Sequence, residues 1–366
     1  MKETVKFGIL YFIAYAISGC NYKVFNLFLT GNSLLFVGLY SGIAALILLT
    51  PIYTYVEKII FPKDNLQSKG ISQQDCKTAI KNYRWALILS MICSVAWQGI
   101  TYGFLIKYGP LLALLITTFS RLLTPILSSY VFGDTIQNKF WYWLGLGISL
   151  FGLLLYQLGG GDFHIDENMN WGLYCFMSFT SLSFMVTSNV TKRFTTSDPT
   201  KDSIPIRKKF LWVQYKSNYH IPVKVREFIV SISTFIILLL VGLYVQFFTS
   251  ISDNEKWLNE LLGVAWIGII GGIAYTISIK LTNRISNVTT AAIDGLRPFA
   301  SYFLFPFVGL ILAGTSYTLN TRTGAIFGYN IPCLSLTGTL ICCIGVFFSL
   351  QFGKPSKPTQ LKKQNV

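Results

Sequence analysis

Charge is scarce in this chain: only 12% of its 366 residues are Asp, Glu, Lys or Arg, and just 15 are acidic. A water-soluble domain carries about 25% charged residues, so the composition excludes a chain whose whole surface is solvated. Histidine is nearly absent, limited to His164 and His220. His164 stands beside Asp166 on a short polar stretch without a second partner, and no nucleophile triad can be assembled; an enzyme is not expected. The seven cysteines (Cys20, Cys76, Cys93, Cys175, Cys333, Cys342 and Cys343) show no metal-ligand spacing. They read as small packing residues, and neither metal nor cofactor is implied. No small-residue cleavage site follows the first apolar run, so that run is expected to be retained.

What the chain has in abundance is apolar sequence, 52% of all residues, with a mean hydropathy of +0.52. Crossing a bilayer takes about 20 apolar residues per helix. Ten runs qualify: Phe7–Tyr22, Ser33–Val56, Trp85–Ile106, Pro110–Phe132, Trp141–Leu158, Trp171–Val190, Phe228–Phe248, Leu261–Ile279, Val288–Leu312 and Ile331–Phe352. They are continuously apolar, which excludes the alternation of a membrane β-barrel. The net charge of +15 follows the same plan. With the N-terminus inside, 24 of the 30 Lys and Arg fall in inside segments and four in outside loops, as the positive-inside rule requires. Both termini are then inside. Trp85, Trp141, Trp143, Trp171 and Trp257 lie near span ends and read as interfacial anchors.

The second half echoes the first. Gly99-Ile100-Thr101-Tyr102, Ile106-Lys107 and Thr124-Pro125 return 173 residues later as Gly272-Ile273-Ala274-Tyr275, Ile279-Lys280 and Arg297-Pro298. Gly145 and Gly152 keep the spacing of Gly338 and Gly345. Halves with an odd number of spans sit in opposite orientations, the plan of secondary transporters with a binding site near the midplane. The expected fold is therefore an all-α polytopic membrane protein of ten transmembrane helices in two inverted five-helix repeats. Residues 1–158 form the first repeat, 159–170 an outside hinge loop, 171–353 the second repeat and 354–366 a basic inside tail. The small-residue pairs Gly38/Gly42, Gly99/Gly103 and Gly268/Gly272 read as close helix contacts.

The run from Leu111 through Gly133-Asp134, then Trp141-x-x-x-Gly145 and Gly152, resembles the drug/metabolite transporter superfamily of EamA type. Pro125, the Gly133-Asp134 pair and Pro298 match its usual pattern. The resemblance implies a ten-helix carrier of small metabolites, drugs or sugar conjugates. This chain departs from the pattern at Arg297, where an acidic residue is common, and at Ala313-Gly314-Thr315, where no glycine–acid pair closes the helix.

Three ionisable residues fall well inside the spans: Arg121, Asp294 and Arg297. Such charges usually face a cavity or a partner. Asp294 and Arg297 share a helical face, and Arg121 matches Asp294 under the 173-residue offset. One reading has Arg121 and Arg297 binding an anionic group while Asp294 positions a guanidinium; the other has Arg121 and Asp294 locking two helices together. Pro125 and Pro298 are matched candidate kinks that free a carbonyl. Tyr102 and Tyr275 are matched hydroxyl candidates, with Trp97, Gln98, Thr117, Thr118, Thr289 and Thr290 as weaker ones.

The sequence thus points to a secondary carrier moving a small anionic or zwitterionic metabolite by alternating access. The alternatives are efflux of a neutral or cationic solute by proton or solute exchange, and a channel or lipid flippase on the same scaffold. Expected partners are the solute and membrane lipids, with anionic headgroups a candidate at the basic loop holding Arg207-Lys208-Lys209, Lys216, Lys224 and Arg226. A plain solvated loop is the simpler reading there. Nucleic acid is not expected, and the protein is read as a monomer or homodimer. A bacterial inner membrane is the default location, with a eukaryotic organelle membrane as the other.

Overall fold

The computed structural model describes residues 6–14, 33–62, 70–102, 120, 123–133, 138–159, 170–197, 205–216, 218–249, 264–265, 267–285, 293 and 333–352. They are overwhelmingly helical. In chain order the helices are α1 (6–14), α2 (Ser33–Leu49), α3 (Pro51–Ile60), α4 (Gln73–Ile100), α5 (Leu123–Phe132), α6 (Lys139–Gly159), α7 (Trp171–Thr196), α8 (Val223–Thr249), α9 (Gly272–Ile285) and α10 (Cys333–Phe352). A π-helical turn, Ile267–Gly271, leads into α9. Between α7 and α8 the strands β1 (Lys209–Phe210) and β2 (Val213–Gln214) pair as an antiparallel hairpin, Lys209 opposite Gln214.

The expected ten spans in two inverted repeats are corrected by the helices themselves. Among the described residues one helix, Val223–Val245, is by itself long and apolar enough to cross a membrane, with a mean hydropathy of 2.6. A second qualifies only if α2 and α3 are taken together across their 69° bend. The physical reason lies in how the apolar runs are used. Thr50-Pro51 breaks the run read as Ser33–Val56: Pro51 lacks an N–H to continue α2, and Thr50 turns its own N–H and hydroxyl onto the Ile47 carbonyl, at 3.0 and 2.6 Å. Helix α4 starts twelve residues before the run read from Trp85, through Asp75, Lys77, Lys81 and Arg84. Ser90, Ser94 and Gln98 then interrupt its apolar part. Helix α7 carries a polar series from Ser178 to Asn189 and continues through Lys192 and Arg193. The runs over 103–119 and 294–332, like the expected hinge loop, lie outside the described residues.

Local chemistry sets the observed boundaries. Ser72 and Asp75 form a reciprocal capping box at the start of α4. At Tyr83 the helix departs from helical geometry (φ −130°, ψ 35°). The Tyr83 hydroxyl accepts from the Lys216 amide at 2.9 Å and donates to the Tyr219 carbonyl at 3.2 Å, binding α4 to the segment before α8. Helix α5 ends at Gly133, whose φ of +66° suits glycine alone. A side chain there would collide with Ile206, which covers this end of the helix.

Two helix pairs make the closest approaches. Helices α6 and α10 run against each other so tightly that a Cβ at Gly145 would stand 2.5 Å from Ser349 Oγ, and one at Gly152 would stand 2.6 Å from the Gly338 carbonyl. Gly345 packs in turn against Ser149 and the Gly145 carbonyl, so the matched glycines of the sequence meet one another across this crossing. Helix α2 packs on α8 with Gly38 against the Leu239 backbone. Gly272 meets Ala44 of α2, whereas Gly99 has only ordinary contacts at 3.8 Å. The largest core joins α4, α5, α7, the hairpin and α8 around Phe132, Phe194, Phe210 and Val213. A second core joins α1, α2, α3 and α9 around Tyr11, Tyr53 and Leu281.

Candidate functional site

A buried polar seam runs along α4. Ser90, Ser94 and Gln98 recur every four residues, so they line one face, and all three are buried. Arg226 of α8 donates to Ser90 at 2.7 Å. Two turns on, Thr234 of α8 donates to Ser94 at 3.2 Å. Gln98 donates to Ser94 at 2.8 Å and accepts from Tyr40 at 2.6 Å and Ser41 at 3.3 Å on α2. From Ser90 to Gln98 the seam covers about 12 Å of helix. Thr101 and Ser181 share a hydrogen bond of 2.8 Å just beyond it. Tyr102, buried, packs between Trp97 and Tyr40 at ring distances of 6.0 and 6.1 Å, edge-on to Tyr40.

At the Arg226 end the seam opens into a group of buried charges. Lys192 and Arg193 of α7, Lys224 and Arg226 of α8 and Lys280 of α9 are each less than a tenth exposed. Facing them are two buried carboxylates, Glu57 of α3 and Glu227 of α8. Lys280 Nζ sits 3.2 Å from Glu57 Oε1 and 4.3 Å above the Phe61 ring. Arg226 pairs with its neighbour Glu227. Lys192 lies 4.2 Å above the ring of Tyr275. Arg193 donates to Ser128 at 2.9 Å and lies over Phe132 at 4.2 Å. The groups belong to one neighbourhood. Lys192 and Arg226 both act on Cys93, Glu57 and Glu227 both act on Tyr53, and Glu57 and Lys280 both act on Lys224. Asn283 of α9 donates to Thr196 at 3.0 Å and closes the edge.

Five buried basic side chains and two buried carboxylates thus lie among the described residues of this region. Burying charge is costly unless it is matched by opposite charge and hydrogen bonds. Glu57 Oε2, Arg226 Nε and Asn283 Oδ1 are buried with no hydrogen-bond partner among the described residues. Lysine and arginine groups gathered in this way are the donors that recognise compact anions.

Of the residues singled out in the sequence, Trp97, Gln98 and Tyr102 are brought together at the far end of the seam. Tyr275, expected to match Tyr102, instead underlies Lys192. Pro125 is buried within α5. Arg121, Asp294, Arg297, Thr117, Thr290 and Pro298 lie outside the described residues. The sequence pattern places these cations in loops or at span ends, but α7 continues through Lys192-Arg193 and α8 begins at Val223, and the side chains are buried. The four-residue spacing of Ser90, Ser94 and Gln98 was the available signal for the seam.

No protein-family model matches the chain, and no curated protein does. One solved structure, described only as the crystal structure of a protein, is similar over 96% of this chain and 98% of its own, with a TM-score of 0.57 and 12% sequence identity. At that identity the likeness concerns fold alone.

Proposed function

We propose that this chain is a membrane-embedded secondary carrier for a small anionic solute. The observation behind the proposal is the gathering of buried basic side chains where α3, α7, α8 and α9 meet. The seam of Ser90, Ser94, Thr234 and Gln98 continues from this site as a file of hydroxyl and amide groups. A site closed from solvent on the described sides suits a carrier, which occludes its cargo, better than an open pore.

Placement in a membrane is supported by the outer surfaces of the helices. Ile236, Leu240, Tyr244 and Phe247 of α8 and Phe176 and Phe179 of α7 are all exposed, a scale of apolar exposure that marks contact with lipid or a partner. The resemblance of the Gly133-Asp134 and Trp141-x-x-x-Gly145 segments to drug/metabolite transporters agrees with a small-metabolite cargo.

The test is a thermal-shift series on the detergent-purified chain with inorganic phosphate, citrate and choline chloride. A ligand that binds the folded state raises its apparent stability by mass action. Phosphate or citrate is expected to raise the melting temperature, choline to leave it unchanged, and Lys192→Gln to remove the anion effect. Stabilisation by choline alone, or an anion effect indifferent to Lys192→Gln, overturns the proposal.

A further inference from the structure

The hairpin between α7 and α8 has an unusual tip. Phe210 and Val213 pair across it, leaving Leu211 and Trp212 as its two turn residues. Two-residue hairpin turns favour Asn-Gly, because the turn needs a positive φ. Leu211 adopts φ 52° without being glycine, a conformation that side-chain-bearing residues rarely take. Strain of that kind persists only where surrounding structure holds it, and it gathers at functional segments. The anchoring is evident: Phe210 and Val213 are buried, and Phe210 and Tyr215 pack on Phe194 at ring distances of 6.3 and 5.5 Å.

What this strained turn displays is apolar. Leu211 and Trp212 are about half exposed, and Ile206 is 70% exposed. Around them Arg207, Lys208, Lys209 and Lys216 are exposed as well, with no acidic residue in the described stretch 205–216. Lys224 and Arg226, which the sequence placed in the same basic loop, are buried and take no part. Arg207 lies 3.5 Å above the ring of Tyr130, itself exposed on the α5 face that also exposes Ile126. The tip is thus continuous with an apolar helix face through an aromatic–guanidinium contact.

We propose that this hairpin is a lipid-docking element that inserts Leu211 and Trp212 at the level of anionic phospholipid headgroups. Tryptophan favours the membrane–water interface, and basic residues near an anionic leaflet are drawn to its headgroups. Both features occur on one rigidly anchored turn. Charge complementarity selects the anionic lipid, and the apolar tip selects a bilayer over a dissolved acidic partner. The hairpin is separate from the buried cation cluster, so the proposal stands independently of the anion cargo.

The experiment uses the full chain in mixed micelles containing dibrominated phosphatidylserine or dibrominated phosphatidylcholine. The fluorescence difference between the native chain and Trp212→Phe isolates this one tryptophan. That difference is expected to be quenched at least twofold more by brominated phosphatidylserine, and the preference is expected to vanish in Lys208→Glu/Lys209→Glu. The phosphate-induced thermal shift should be unchanged in Trp212→Phe, which separates this test from that of the carrier. Equal quenching by both lipids removes the charge selection and overturns the proposal. Absence of quenching by either lipid overturns it too, as does shielding of Trp212 by a polyglutamate peptide in place of phosphatidylserine.

Discussion

Lys280 Nζ lies 3.2 Å from Glu57 Oε1 inside the protein, joining two helices whose residues are 223 positions apart. Breaking a buried ion pair by removing one charge costs about 3–5 kcal/mol. Glu57→Gln is therefore expected to lower the melting temperature sharply, because it removes the carboxylate charge facing the buried Lys280 ammonium. The double variant Glu57→Gln/Lys280→Met should recover most of the loss. Thermal melts of the three proteins in one detergent decide the matter; a single variant as stable as the native chain would exclude the pair as a structural tie.

The α6–α10 crossing gives a second expectation. Gly152→Ala places a methyl group against the backbone of Cys342 and the Gly338 carbonyl, which cannot retreat as a flexible side chain can. Gly147, on the same helix, has open space where its Cβ would stand. Gly147→Ala should be neutral or stabilising by up to about 1 kcal/mol, while Gly152→Ala should reduce the yield of folded protein. Size-exclusion profiles and melts of both distinguish them.

At Gly133 two costs combine. Alanine there meets the φ penalty of about 1–2 kcal/mol and a collision with Ile206 Cδ1. Ile206→Ala should relieve the collision and leave the backbone term. Gly133→Ala/Ile206→Ala is accordingly expected to melt above Gly133→Ala and below Ile206→Ala.

The polar seam predicts a loss without a charge change. Ser90→Ala removes the acceptor of the Arg226 bond and leaves a buried guanidinium group short of a partner, which costs about 1–3 kcal/mol. Ser129, exposed on α5 and bonded only to its own helix, should tolerate alanine within about 0.5 kcal/mol. Denaturant or thermal unfolding of the two variants provides the comparison.

Tyr83 supplies a pH dependence. Burial pushes its hydroxyl up to about 12, despite a favourable backbone hydrogen bond with Lys216. Because the folded value exceeds the ordinary value of 10.0, the unfolded chain ionises first. The contribution is fully present below pH 10 and is lost as pH rises from about 10 to 12. Tyr83→Phe is expected to lose part of the native stability at pH 8 and to show a shallower decline above pH 10. Parallel declines in both proteins would assign the alkaline loss to other groups.

Part of the local structure is legible in the residues. Gly38, Gly42, Gly268 and Gly272, read as close helix contacts, do pack closely, whereas the span read as Ser33–Val56 runs through the Thr50-Pro51 break and the capped start of α4 at Ser72 falls in a stretch read as loop. The site was less so. Gln98 and Trp97 stood out as polar or amphipathic residues in an apolar run, but Lys192, Lys224 and Lys280 looked like ordinary topogenic charges. Sequence position alone does not reveal whether a lysine at a helix end points to water or back into the protein.

The sequence by itself determined the helical class, the apolar character and the basic balance, because these follow from composition and from periodicity over a few residues. Only the tertiary structure decided which apolar runs remain single helices and which break or extend. It also decided which charges are buried together, and that Leu211 and Trp212 stand outside. Those outcomes depend on contacts between residues far apart in the chain, such as Lys280 with Glu57 and Ile206 with Gly133. Burial, unlike helix propensity, is a property of what the rest of the chain places alongside.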